Sequence, residues 1–200
     1  LERSLEIEEE MGNRAGAANR LINIGLVQWS LGSYRDALAS HRRALATLEG
    51  LGDRASAVSA LVNIGIDLES LGSYAEALSY QERALKLAEE VGDRGSTVSC
   101  LINIGNLRSE LGAYADGLRS LERGLALAEE MGARANVARA LACIGTGHQA
   151  LGACAEALSY QGRALKVFEE IGSRSEAART LGNIGALHER LGSHAEALAF

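Results

Sequence analysis

Leu21-Ile22-Asn23-Ile24-Gly25 returns forty residues later as Leu61-Val62-Asn63-Ile64-Gly65, and again as Leu101-Ile102-Asn103-Ile104-Gly105, Leu141-Ala142-Cys143-Ile144-Gly145 and Leu181-Gly182-Asn183-Ile184-Gly185. No insertion or deletion disturbs the spacing. A fixed period of this size marks supersecondary units that cannot bury their apolar face alone, so that neighbours stack into a solenoid. Solenoids expose long surfaces, and binding is the expectation that follows.

The punctuation around each copy divides it into two helices. After each Leu-Gly pair stand Ser33-Tyr34-Arg35-Asp36, Ser73-Tyr74-Ala75-Glu76 and Ser193-His194-Ala195-Glu196, a hydroxyl at the N-cap with an acid three positions on. In the third and fourth copies Ala113 and Ala153 keep only the acids Asp116 and Glu156. Such stretches start helices. Gly32, Gly72, Gly112, Gly152 and Gly192 precede them, where a left-handed residue would end the helix before. A second glycine in each unit (Gly12, Gly52, Gly92, Gly132, Gly172) ends the other helix, followed by Asn13, Asp53, Asp93 and Ser173 as N-caps and by Ala133 as the exception. Each unit is read as an antiparallel helical hairpin, because its connection is short. Helix A is expected over about 14–31, 54–71, 94–111, 134–151 and 174–191. Helix B is expected over about 34–51, 74–91, 114–131 and 154–171, with a truncated copy at 194–200. Residues 1–11 read as the end of a preceding helix B, and the whole of 1–200 as one array of five units.

Composition agrees with an uninterrupted helical chain. Proline is absent, aromatics are 4% of residues, and small and long aliphatic side chains abound. The net charge is −6, with eighteen Arg, two Lys and no basic run, which disfavours nucleic acid as a partner. Apolar residues never run unbroken for the roughly 18 positions that a membrane helix needs, so no membrane partner is expected.

With the hairpins drawn, the whole chain resembles a tetratricopeptide repeat (TPR) protein. The residues that carry the resemblance are Leu21, Ile24, Gly25, Tyr34, Ala37 and Ala44 in the first unit and Leu61, Ile64, Gly65, Tyr74, Ala77 and Ala84 in the second. The third and fourth units depart from it, with Gly117 and Gly124 in place of Ala and Cys154 in place of Tyr. The forty-residue period, Asn-Ile-Gly and the Gly-Asp-Arg turn are similar to the arrays of kinesin light chains and of Leu-Gly-Asn repeat adaptors. The resemblance implies an all-α, right-handed α-solenoid of antiparallel helix-turn-helix hairpins. It also implies a protein–protein interaction scaffold that binds a linear peptide in a concave groove, with no reaction and no cofactor.

On that resemblance the groove is lined by positions 19, 22, 23, 26, 29 and 30 of helix A and their equivalents every forty residues. The candidate peptide-binding residues are Asn23, Asn63, Asn103 and Asn183, with Asn106, Leu26, Trp29, Ile66, Arg139 and Arg179. The stripe is apolar and acidic in its first half and carries small side chains and arginines in its second. It is therefore expected to take a protein or peptide with apolar anchors facing the first three units and a carboxylate or phosphate facing Arg139 and Arg179. With helices packing about 8–10 Å apart, five rungs would accommodate roughly 12–15 extended residues.

Asparagine inside a helix costs several tenths of a kcal/mol relative to alanine, so something must compensate for it at four copies of one position. Two readings stand: the amides pair with the main chain of an extended peptide, or each braces a neighbouring A helix. Trp29 similarly reads as a groove anchor or as packing against the unit before it. Two arginine series are complete, Arg14, Arg54, Arg94, Arg134, Arg174 and Arg3, Arg43, Arg83, Arg123, Arg163. A cation near a helix N-terminus opposes the macrodipole. The first series is therefore expected to pair with acids on the preceding helix, such as Glu9, Glu49, Glu89, Glu129 or Glu169, as structural bracing.

Catalysis and metal binding have little support. His41, His148, His188 and His194 are spread over different faces, although His148 and His188 share one slot in adjacent units. Cys100, Cys143 and Cys154 form no CxxC pair and read as reduced thiols of a cytoplasmic, intracellular protein. Neither end is a polar cap, so a piece of a longer array, a regulatory array of a larger protein, or end-to-end self-association are the alternatives to a free-standing adaptor.

Overall fold

The structure, a computed structural model, describes residues 1–193 and Ala197, with Glu2 and Glu9 described in their backbone alone. The expected truncated helix at 194–200 and the side chain of Glu9 lie outside the described residues. Among the described residues ten helices follow one another: α1 (Glu2–Glu10), α2 (Arg14–Ser30), α3 (Tyr34–Leu51), α4 (Arg54–Ser70), α5 (Tyr74–Val91), α6 (Arg94–Glu110), α7 (Tyr114–Glu130), α8 (Arg134–Ala150), α9 (Cys154–Glu170) and α10 (Arg174–Arg190). No strand occurs among the described residues. The fold is all-α and built from helix-turn-helix pairs, each even-numbered helix from α2 to α8 being an A helix and the next its B helix.

The turns are alike because the same backbone bonds close them. Gly32 sits at φ 78 and Gly52 at φ 70, left-handed conformations that other residues adopt at a cost. At the first turn the Gly32 N–H donates to the Trp29 carbonyl and the Ser33 N–H to that of Gln28, a Schellman closure of the helix end. Helix starts are less uniform than the sequence suggests. The side chains of Asn13, Asp53 and Asp93 accept from the Gly16, Ser56 and Ser96 amides. The Ser56 amide and hydroxyl hold the Asp53 carboxyl below its ordinary value, as the Ser96 hydroxyl and amide do for Asp93. The expected hydroxyl caps Ser33, Ser73 and Ser173 make no side-chain cap bond. Ser173 has ψ 77 and Asn13 ψ 78, so the backbone at the two caps is alike and the difference lies in the side chain.

The chain divides into two compact units, Leu1–Cys100 and Leu101–Phe200, with the division inside α6. In unit 1, α2 packs on α3, α3 on α4 and α4 on α5. Leu21, Ile24, Ala37, Ala44, Leu45 and Leu48 are buried in the first hairpin, and Leu61, Ile64, Leu68, Ala77, Ala84 and Ala88 in the second. In unit 2, α7 packs on α8, α8 on α9 and α9 on α10. Its core includes Ala138, Leu141, Ala142, Ala164, Phe168 and Ala177. Small residues at the crossings bring backbones close. A Cβ on Gly25 would lie 2.3 Å from His41 Nε2 and one on Gly65 2.4 Å from Gln81 Nε2. In unit 2, Gly105 would meet Leu121 at 2.4 Å and Gly145 would meet Gln161 at 2.9 Å.

Four of the regular arginines, Arg54, Arg134, Arg83 and Arg163, brace the fold, with other partners than the sequence suggests. Arg54 pairs with Glu90 and Arg134 with Glu170, at the far end of the same hairpin's B helix, not with an acid just before them in the chain. The antiparallel return of helix B explains this, since it brings its C-terminal turn beside the first turn of helix A. Glu49 and Glu129 pair instead with Arg83 (3.2 Å) and Arg163 (3.9 Å) of the following B helix. All these side chains are about half exposed, so each pair contributes only about 0–1 kcal/mol.

Candidate functional site

The A helices turn one face to their B helix and leave the adjacent face open, because Leu21, Ile24 and Gly25 and their equivalents Leu61, Ile64 and Gly65 are spent on the hairpin core. Positions one residue away from these, 22, 23 and 26, therefore fall on a neighbouring stripe. In unit 1, Leu26 is 46% and Trp29 40% exposed. Asn23 is exposed, and Asn63 and Ile66 are half-buried. In unit 2, Asn103, Asn106, Arg139 and Asn183 are half-buried, and Arg179 is exposed.

The asparagines do not share one role. Arg139 donates from Nη2 to Asn103 Oδ1 at 3.1 Å, a bond from one A helix to another. The side-chain amides of Asn23, Asn63 and Asn183 have no hydrogen-bond partner among the described residues. Bracing thus accounts for one of the four. The two arginines of the stripe are also unlike. Arg139 is held by Asn103, whereas Arg179 forks onto Glu176 of its own helix through Nε (3.1 Å) and Nη2.

Trp29 reaches forward along the chain. Its Nε1 donates to Ser70 Oγ at 2.9 Å, and Ser70 in turn donates to the Ile66 carbonyl at 3.0 Å. Its ring lies 6.2 Å from that of Tyr34 and tilted by 55°. Its polar tie therefore runs to the hairpin after it. Leu26 and Val27, each 46% exposed, lie on the same part of α2.

Beneath the unit 1 stripe lies a pair that sequence reasoning missed. His41 Nδ1 is 2.5 Å from Asp67 Oδ2, and both side chains are 1% exposed. His41 Nε2 is 3.2 Å from the Ile22 carbonyl, next in the chain to Asn23. The pair ties the B helix of the first hairpin, α3, to the A helix of the second, α4. Gln81 occupies the slot of His41 one period on and donates from Nε2 to the Val62 carbonyl at 3.0 Å. Gln161 donates likewise to the Ala142 carbonyl at 3.1 Å. The slot is a buried donor to the A helix in three units, and Leu121 fills it in the remaining one. The signal available in the sequence was Asp67 itself, an acid in the slot that elsewhere holds Val27, Leu107, Gly147 and Leu187.

The remaining reactive groups have structural surroundings. Burial, assisted by the charge of Asp93, pushes the Cys100 thiol up to about 12. Cys143 and Cys154 are half-buried. His148 stacks on Tyr160 at 5.3 Å and 11°, with the Arg163 guanidinium 5.4 Å from the same ring. Among the described residues no group of three His, Cys, Asp or Glu side chains is placed to hold a metal, and no helix is long and apolar enough to cross a membrane.

Comparison with known proteins places this architecture. BtubC (BKLC) from P. vanneervenii superposes with a TM-score of 0.85 at 17% identity, covering 99% of this chain and 84% of that one. A Rap protein complexed with Competence and Sporulation Factor gives 0.83 at 17%, covering 93% of this chain and 51% of its own. The nearly identical TPR-like repeats of a Podosopora anserina protein described as a kinesin light chain give 0.71 at 11%, covering 90% of each. No curated protein sequence matches. These likenesses concern the fold. The family model of the tetratricopeptide repeat matches residues 56–130 and 136–200, more than half of the sequence, and the chain belongs to the tetratricopeptide repeat family.

Proposed function

We propose that this chain is an interaction scaffold whose A-helix stripe binds an extended segment of a partner protein. The observation that carries the reading is the open hydrogen-bonding capacity of Asn23, Asn63 and Asn183, repeated at one helical position beside exposed Leu26 and Trp29. An amide offers a donor and an acceptor together, which suits the main chain of a peptide whatever its side chains. The tetratricopeptide repeat is a protein-interaction fold, and the Rap neighbour complexed with Competence and Sporulation Factor is a related architecture with a bound factor, which supports the same reading. In unit 1 the stripe favours apolar anchors. In unit 2, Arg139 and Arg179 favour an acidic group, Arg139 giving up its bond to Asn103 to take it.

The test is a displayed random-peptide library panned against the chain, followed by fluorescence anisotropy of an enriched peptide with the wild type and with Asn23→Ala/Asn63→Ala. Each lost amide pair costs about 1 kcal/mol, so the variant should bind roughly tenfold or more weakly at unchanged helicity. Equal affinity for both proteins would remove the asparagines from the site.

A further inference from the structure

We propose that His41 and Asp67 form a proton-operated latch between the first two hairpins, one that sets the position of Trp29 on the stripe. The proposal concerns regulation of the surface read above as peptide-binding, and its meaning for binding rests on that reading. Both ring nitrogens of His41 face acceptors, the Asp67 carboxylate on one side and the Ile22 carbonyl on the other. Both contacts are hydrogen bonds only while the His41–Asp67 pair holds one proton more than a neutral imidazole and a carboxylate would. When that proton leaves, one contact becomes acceptor against acceptor, and a carboxylate is left in a site with 1% exposure. Buried groups left without a partner are costly, so the packing of α3 on α4 must relax.

The ionisable side chains of the packed A helices are Arg14 and Arg20 on α2 and Arg54, Asp67 and Glu69 on α4, and Asp67 ion-pairs with the ring. On α3 itself Arg42 is committed to Glu76 at 2.7 Å. The other hairpins lack the device: the His41 slot holds Gln81, Leu121 and Gln161, none of which titrates.

Trp29 lies at the same junction. It spans from α2 to α4 through Ser70, three residues beyond Asp67, while His41 bonds the backbone of α2 at Ile22, about two turns before Trp29. Movement of α4 away from α3 therefore loads the Trp29–Ser70 bond and releases the indole. The pair also sits at the backbone beside Asn23 and within a helical turn of Asn63, so both polar rungs of unit 1 move with it.

Trp29 is the only tryptophan of the chain, which makes the latch directly readable. Its emission should be followed in the intact chain between about pH 5 and pH 8, the range in which histidine switches operate. The same titration should be run on His41→Gln/Asp67→Leu, which installs the residues that Gln161 and Leu187 place in these slots, with circular dichroism verifying that the variant folds. In the wild type the emission should move to the red through a single-proton transition as the pH rises, and imidazole NMR should assign that transition to His41. In the double variant the transition should be absent. A wild-type emission that is flat across the range, or an unchanged transition in the double variant, overturns the latch. Neither result depends on a peptide, so loss of the latch and loss of the binding site are separate outcomes. If both hold, the peptide enriched by panning should bind the wild type roughly tenfold more weakly at the high end of the range than at the low end, and the double variant equally at both.

Discussion

In unit 1, His41 on the first B helix meets Asp67 on the next A helix, and every polar atom of the ring is matched. In unit 2 the same slots hold Gln161 and Leu187, both fully buried. Gln161 spends its Nε2 on the Ala142 carbonyl and leaves its Oε1 without a partner among the described residues. The stripes above these junctions differ in parallel. Unit 1 exposes Leu26, Val27 and Trp29, whereas unit 2 carries Arg139 bonded to Asn103. The periodic positions of the two units therefore build the same hairpins, and the His41–Asp67 junction and the stripe are two places where the units depart from that periodicity.

The contrast can be broken hardest at the buried pair. His41→Leu alone leaves Asp67 buried and unpaired and should cost about 3–5 kcal/mol in urea denaturation. Adding Asp67→Leu should recover much of that loss, because an apolar pair of similar volume is often neutral. Recovery of nothing would mean that packing, and not charge, sets the junction. A smaller effect separates the units at position 37 of the repeat. Ala77 is fully buried without strain in unit 1, but a Cβ on Gly117 would lie 2.7 Å from the Gly105 carbonyl. Gly117→Ala should therefore destabilise by about 1–3 kcal/mol through overpacking. If it is neutral, the helices of that hairpin can separate more readily than their contact suggests.

The asparagines sharpen the comparison further. Asn103→Ala removes the acceptor of Arg139 and should cost about 0.5–1.5 kcal/mol. Asn63→Ala removes no side-chain hydrogen bond among the described residues and should stabilise the chain by a few tenths of a kcal/mol through helix propensity. Equal thermal shifts for the two would erase the distinction between brace and open rung. The smallest effect should fall where the units are alike. Arg54→Ala and Arg134→Ala each break an exposed pair and should each cost less than about 1 kcal/mol, with both losses shrinking at high salt. A large difference between them would show that the shared bracing is not equivalent in the two units.

The sequence makes the hairpins legible because glycine marks their ends by a local requirement. A left-handed residue has to be glycine at little cost, and all ten turn glycines have positive φ. Caps are legible only in part, since the sequence shows a residue able to cap but not whether it reaches: Asn13 does and Ser173 does not. Partners across the stack are least legible. The Arg54 series looks toward the nearest acids in the chain, yet its partner is 36 residues away, where the returning helix ends. His41 and Asp67 are 26 residues apart in different hairpins, and each looks ordinary until the hairpins are stacked. The stripe itself was readable as a position on a helix, but which of its asparagines are open depends on a neighbour, Arg139, supplied one repeat later.

The side-chain bond that closes the longest stretch among those described above is Trp29 to Ser70, at 41 residues. Helix bonds, turn closures and the Arg–Glu braces all close shorter loops. Low contact order of this kind favours fast folding, because no distant loop has to close before native contacts repay its entropy. Within each unit, order can start in any hairpin and spread to the next, so that a fault in one repeat slows the spreading of structure there without forbidding its start elsewhere.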